Sequence, residues 1–289
     1  MSATEEPRVS ATDEPPRVID AEPAIPVTEE RGILRQASFR KRFAAVYLSL
    51  ALIAGVGIGA FVVLLARPDA APAPAWSVWQ PDGSESARVR QIADHVAGRY
   101  RLPSGEQIAV ALAGPPTVAA GTEEQANIPV RAIAVRPDTS TGKAEDEDIA
   151  IVDASKSVQY VLCGLGQMCS ITKGKASEAR HALLRREALE LALYTFKYVD
   201  GIETVTIFLP PRPDGATPPN AVFLERRDVK SELSTPLTKT LAPGAPGIGS
   251  IPAKELSAVN RITRPRLYGY EYTQAQDGSA VLVLNPIIA

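Results

Sequence analysis

The chain has 289 residues, 31 Lys+Arg against 33 Asp+Glu, two Cys and a formal net charge of −2. That balance excludes a basic nucleic-acid binder, and two cysteines exclude a disulfide-rich secreted scaffold. The charge is also unevenly spread, with eight acids and two bases in residues 1–30, five bases and no acid in residues 31–42, and 24 bases against 25 acids from Arg67 onward.

Residues 1–30 hold a near repeat, SATEEPRV then SATDEPPRV, with many prolines and no aromatic residue. Such a segment buries too little apolar area to offset the entropy of ordering, which predicts a disordered, acidic cytoplasmic tail. Residues 31–42 form a basic juxtamembrane segment. Within it Ser38 follows Arg35 by three residues, a spacing basophilic kinases use, and phosphate there would offset part of the positive cluster. The positive-inside rule explains the same bases without any modification.

Residues 43–66, FAAVYLSLALIAGVGIGAFVVLLA, carry no charge. At about 1.5 Å per residue such a helix crosses a hydrocarbon core of roughly 30 Å, and a helix satisfies its own backbone polar groups there. A signal peptide is the rival reading, but its apolar core is roughly 7–15 residues long, and this run is longer and begins only at Phe43. Arg31, Arg35, Arg40, Lys41 and Arg42 precede the span, so the N-terminus is expected in the cytoplasm and the C-terminal region outside. Ala51, Gly55 and Gly59 recur every four residues, a small-residue stripe that permits close helix packing, either in a homodimer or against another protein's span. Frequent glycine in spanning helices accounts for the stripe equally well.

Residues 67–75 read as a Pro/Ala linker, and residues 76–289 as an exported α+β or α/β domain. Trp76 and Trp79 suit either the headgroup region or an edge of the folded domain; an extended spacer, at about 3.1 Å per residue, favours the domain. Residues 84–101 have Val89, Ile92, Val96 and Tyr100 at helical spacing. Strands are predicted at 107–112, 128–135, 149–152 and 158–163 from their length and Val/Ile content.

Residues 177–199 form the strongest soluble helix, with Ser177 as N-cap and two adjoining apolar stripes that predict burial around much of its girth. On this helix His181 aligns with Glu178 and Arg185 on the polar face, which predicts solvation, and Arg186 pairs with Glu190 at i,i+4. Residues 203–209 resume as a strand, so strand, Cys loop, helix and strand make a crossover unit. The stretch 184–209, a long apolar helix followed by YVDGIETVTIFL, resembles the helix-to-strand core of the GerMN domain of exported and lipid-anchored bacterial proteins. The resemblance implies a similar local fold and assigns no functional residue, and the Cys loop is not part of that pattern. A further strand at 220–225, a loop over 234–252, a helix at 252–264 and a hairpin of 266–273 with 279–284 complete the domain.

Cys163 and Cys169 lie in CGLGQMC, outside the cytosol on this topology, where thiols oxidise. A disulfide is expected, with Gly164 and Gly166 freeing the backbone to turn. The rivals are a zinc site, for which His95 and His181 stand at irregular spacing, and a Cys–His nucleophile pair with His181. No GxSxG, HExxH or GxxxxGK[ST] occurs, GAPGIGS at 244–250 is a poor phosphate cradle, and EDED at 145–148 reads as a solvated turn. No catalytic residue, metal ligand or cofactor is therefore assigned.

The expected partners are the lipid bilayer and a protein partner or second copy met through the spanning helix, with no nucleic acid. The expected function is a membrane-anchored binding or assembly module of a bacterial cell envelope. The alternatives are an envelope enzyme whose site assembles only in three dimensions, marked by a cleft holding Asp94, His95 or His181 beside a second titratable group, and a transmembrane signal relay through the tail.

Overall fold

The computed structural model describes residues 36–66, 75–118, 128–138, 148–211 and 220–287. The readings for residues 1–30, for the start of the basic segment (31–35), for the Pro/Ala linker up to residue 74 and for the first three residues of EDED (145–147) lie outside the described residues. Two compact units are separated near residue 71, one holding a single long helix and the other the α+β domain.

The first unit is α1 (Gln36–Leu65), whose stretch Arg40–Val63 is long and apolar enough to cross a membrane by length and composition. It begins earlier than the apolar run because Arg and Lys are good helix formers, and Ser38 falls in its first turn. The Ser49 hydroxyl donates to the Ala45 carbonyl at 2.8 Å, so this polar group is satisfied inside the helix. Around Gly55 and Gly59 no heavy atom lies within 4 Å of where a Cβ would stand.

The domain opens with α2 (Glu85–Ala97), N-capped by Ser84 and burying Val89, Ile92, Ala93, Val96 and Ala97. It ends before the predicted residue 101 because Gly98 caps it, and Tyr100 is buried in the turn that follows. The strands are β1 (Val110–Gly114), β2 (Thr117–Val118), β3 (Ile128–Val135), β4 (Ala150–Asp153) and β5 (Ser157–Cys163). Then come α3 (Glu178–Tyr198), β6 (Thr204–Phe208), β7 (Asn220–Glu225), α4 (Lys230–Ser234), α5 (Ala253–Thr263), β8 (Leu267–Gln274) and β9 (Ala280–Pro286).

The strand order is β1-β5-β6-β7-β8-β9-β3-β2, with β4 beside β3. β5 pairs β6 in parallel, joined by α3 as the predicted crossover, and β3 pairs β9 in parallel. The path returns to its start: β4 pairs β3 and runs through one short turn, Ala154–Lys156, into β5. Only Pro115 and Pro116 separate β1 from β2, so a second bent strand spans the same seam. Strands that bend at corners in this way turn an open sheet into a closed ring.

Closure creates two cores. Inside the ring, Phe208 of β6 meets Tyr270 and Tyr272 of β8 at 4.4 and 6.3 Å between centroids. Leu282, Leu284, Ile133 and Phe223 fill the rest. Outside it, α2, α3 and α5 cover one wall with Leu183, Leu189, Leu193 and Phe196 of α3 at its centre. β6 is accordingly buried on both faces. Trp76 packs edge-on against Tyr194 and donates to the Glu232 carbonyl at 3.0 Å, so it belongs to the domain core, and Trp79, partly buried, packs against that core.

Candidate cavity at the N-terminus of the crossover helix

Where β5 leaves the sheet, the chain makes a tight loop and enters α3. Cys163 and Cys169 are joined by a disulfide that closes this loop. The glycines act differently from the expectation that they free the turn. The left-handed conformations fall on Leu165 (φ 67°) and Cys169 (φ 57°), whereas Gly164 and Gly166 let the two limbs touch. A Cβ at Gly164 would stand 2.5 Å from the Ser170 carbonyl oxygen, a backbone atom that cannot swing aside.

Beyond the loop, Ser177 caps α3 by accepting from the Arg180 amide at 3.2 Å. The first turn of a helix directs unpaired N–H groups and a partial positive charge outward. Facing it, β6 ends at Phe208 and the chain continues through Leu209, Pro210 and Pro211, with the Pro211 carbonyl accepting from the Ile171 amide at 3.3 Å. Between them lies a cavity of about 210 Å³, lined by the first turn of α3, Ile171, Leu184, Leu209–Pro211, Asn220, Leu267 and Ile287. The crevice at the carboxyl ends of adjacent parallel strands is where α/β sheets commonly bind ligands.

Arg180 is the distinctive group in this wall. It is 2% exposed, it lines the cavity, and it forms no ion pair among the described residues. Its Nη1 donates to the Lys173 carbonyl, and its Nε is buried with no hydrogen-bond partner. Burial alone pulls its guanidinium below the usual arginine range. His181 and Glu178 line the same cavity, with His181 half-buried and Glu178 exposed.

The neighbouring arginines of α3 are already engaged. Arg185 was expected on a solvated face, yet it is 2% exposed and donates to Thr263 Oγ1 at 2.9 Å and Asn260 Oδ1 at 2.8 Å. The correction follows from α5, which lies across that face of α3. Arg186 is fully buried, pairs with Glu190 at 3.2 Å as expected, and also meets Glu255 at 2.5 Å. Tyr100 donates to Glu190 at 2.6 Å, and Arg99 binds the other Glu190 oxygen. Glu187 is fully buried beside this cluster with neither carboxylate oxygen hydrogen-bonded, and burial followed by the charge of Glu190 holds its carboxyl well above the usual range.

The other sequence candidates lie elsewhere. Asp94 is exposed, and His95 stacks on Trp79 with centroids 3.8 Å apart, its pKa lowered to about 4 by burial and then by the charge of Arg99. Among the described residues no three of His, Cys, Asp and Glu are grouped so as to hold a metal. The sequence reading missed Arg180 as a lone buried cation, and it missed Asn220, Leu267 and Ile287 as cavity residues. Their only shared property is convergence from separate segments of the chain, which no local pattern encodes.

No family model matches this sequence, and comparisons with curated proteins and with solved structures return no match either. The GerMN resemblance of residues 184–209 therefore carries nothing further.

Proposed function

We propose that this chain is a membrane-anchored, extracytoplasmic binding module. α1 is the anchor, and the basic residues before its apolar run favour a cytoplasmic N-terminus with the domain outside. The cavity at the N-terminus of α3 carries the reading. It is concave and largely apolar, with a few polar groups converging on it, as small-ligand and peptide sites are. The face bearing Ala51, Gly55 and Gly59 supports a second contact, with another spanning helix or a second copy of α1.

The test uses full-length protein in its native membrane, with a photoreactive residue replacing Ile287 at the cavity and, separately, Gly55→Leu and Gly59→Leu in the span. The binding reading expects one stoichiometric adduct at the cavity, and the helix-contact reading expects the leucine variants to lose a membrane crosslink. A scatter of unrelated substoichiometric adducts at Ile287 would sink the binding reading.

One observation favours an envelope enzyme as the second reading: His181 and Glu178 share the cavity with Arg180, a histidine beside other titratable groups. His181→Ala separates the two. A binding module keeps its adduct and captured ligand unchanged in mass, whereas an enzyme accumulates unconverted ligand.

A further inference from the structure

We infer that the cavity at the N-terminus of α3 receives an oxyanion, a carboxylate or phosphate, borne on a short apolar stem, and that Arg180 is the residue that reads it. This rests on the binding reading above and adds the chemical class of the ligand.

Three independent features converge. Arg180 is 2% exposed, has no acidic partner among the described residues, and keeps its Nε without an acceptor. A buried cation needs a charged or hydrogen-bonding partner, and Arg99, Arg185 and Arg186 beside α3 each have side-chain acceptors, whereas Arg180 has only the Lys173 carbonyl. The second feature is the open first turn of the 21-residue α3, whose amides and dipole favour negative charge at the same wall. The third is the apolar part of the lining, where the side chains of Ile171, Leu184, Leu209 and Leu267 offer hydrocarbon. A free inorganic ion would leave that part wet, while a purely apolar ligand would leave Arg180 uncompensated.

Glu178 is the one acid on the lining, but it is exposed, so water screens it, whereas Arg180 acts from inside the protein. The planar guanidinium fork matches the two oxygens of a carboxylate or phosphate. At about 210 Å³ the cavity is smaller than a drug-sized site, which suits a ligand near the size of a six-carbon acid.

The test titrates full-length protein in nanodiscs, against empty nanodiscs, with hexanoate, hexyl phosphate, hexanol and hexylamine at pH 7.5, by calorimetry. Both anions should bind saturably, and hexanol and hexylamine should bind at least about tenfold more weakly. Preference for hexanoate over hexyl phosphate would point to a carboxylic acid as the source, and the reverse to a phosphate ester. Arg180→Gln should weaken the anions by about 10- to 100-fold and leave hexanol unchanged, and Arg180→Lys should restore part of the affinity. Ile287→Trp, which enlarges a half-exposed lining residue and leaves Arg180 in place, should block all binding and keep the native near-UV circular dichroism. If hexanol binds as tightly as hexanoate, or Arg180→Gln binds hexanoate normally, the anion inference fails and the binding reading stands. If none of the four probes binds, the anion inference fails, and if the Ile287 adduct is also absent the binding reading fails with it.

Discussion

Arg186 Nε donates to Glu255 Oε1 at 2.5 Å, and the same oxygen accepts from the Ala242 amide at 3.2 Å. One buried carboxylate thereby fastens α3, α5 and the connecting segment together. Removing only the cation strands Glu255 in the interior and leaves Glu190 to Tyr100 and Arg99, and breaking a buried pair this way typically costs about 3–5 kcal/mol. Arg186→Met should lose that much in urea unfolding at pH 7.5, and Arg186→Met with Glu255→Met should recover part of it. A single variant within about 0.5 kcal/mol of the parent would show that the pair is not a structural tie.

Glu187 predicts the opposite sign. Its folded-state pKa is raised, so folding above the usual carboxyl range requires proton uptake, and its cost grows as pH rises. Glu187→Met should therefore stabilise the domain at pH 7.5, by roughly 1–3 kcal/mol for an unsatisfied buried polar group. The gain should shrink as pH is lowered toward 4.5, and paired urea titrations at the two pH values would measure it.

His95 titrates with a lowered folded-state pKa of about 4 against an ordinary 6.5. The neutral ring is favoured in the fold, so its contribution is whole above pH 6.5 and is lost as pH falls from 6.5 through about 4. His95→Phe keeps a flat ring on Trp79 and removes the proton site. Its melting temperature relative to the parent should rise as pH drops from 7 to 4.5; a constant difference would refute the titration.

Reducing the Cys163–Cys169 disulfide should cost roughly 2–3 kcal/mol by the chain-entropy relation, less whatever is released when Leu165 and Cys169 leave their left-handed conformations. Gly164→Ala should cost about 1–3 kcal/mol with the disulfide intact, because the added methyl meets the Ser170 backbone. Urea midpoints with and without dithiothreitol distinguish the two. Equal stability of the parent and Gly164→Ala would mean the limbs are not in close contact.

Local patterns made much of this fold legible. The two stripes of α3 foretold its burial, Ser177 marked its start, length and Val/Ile content placed β3, and β7 and the β8–β9 hairpin fall within a few residues of their expected ranges. What stayed hidden depends on distant partners. The polar face of α3 gave no sign that α5 would cover Arg185, and nothing near β3 says that it pairs with β9. The candidate cavity was the least legible part. Its crossover and disulfide loop follow from local signals, but Arg180 differs from Arg185 and Arg186 in having received only the nearby Lys173 carbonyl and no side-chain acceptor.

The pairing of β3 with β9 also governs when the domain can fold. Its two strands lie near opposite ends of the domain, so a growing chain carries an incomplete ring until its last strand has been delivered. Topologies rich in such distant pairings fold slowly, after loop closures whose entropy must be met first. Until then the inner faces of β6 and β7 have no cover from β8 and β9, and Phe208 and Phe223 stay open to solvent. Apolar faces of this kind invite premature association until β9 has paired with β3, and removing β9 would leave a sticky, unfinished chain rather than a smaller domain.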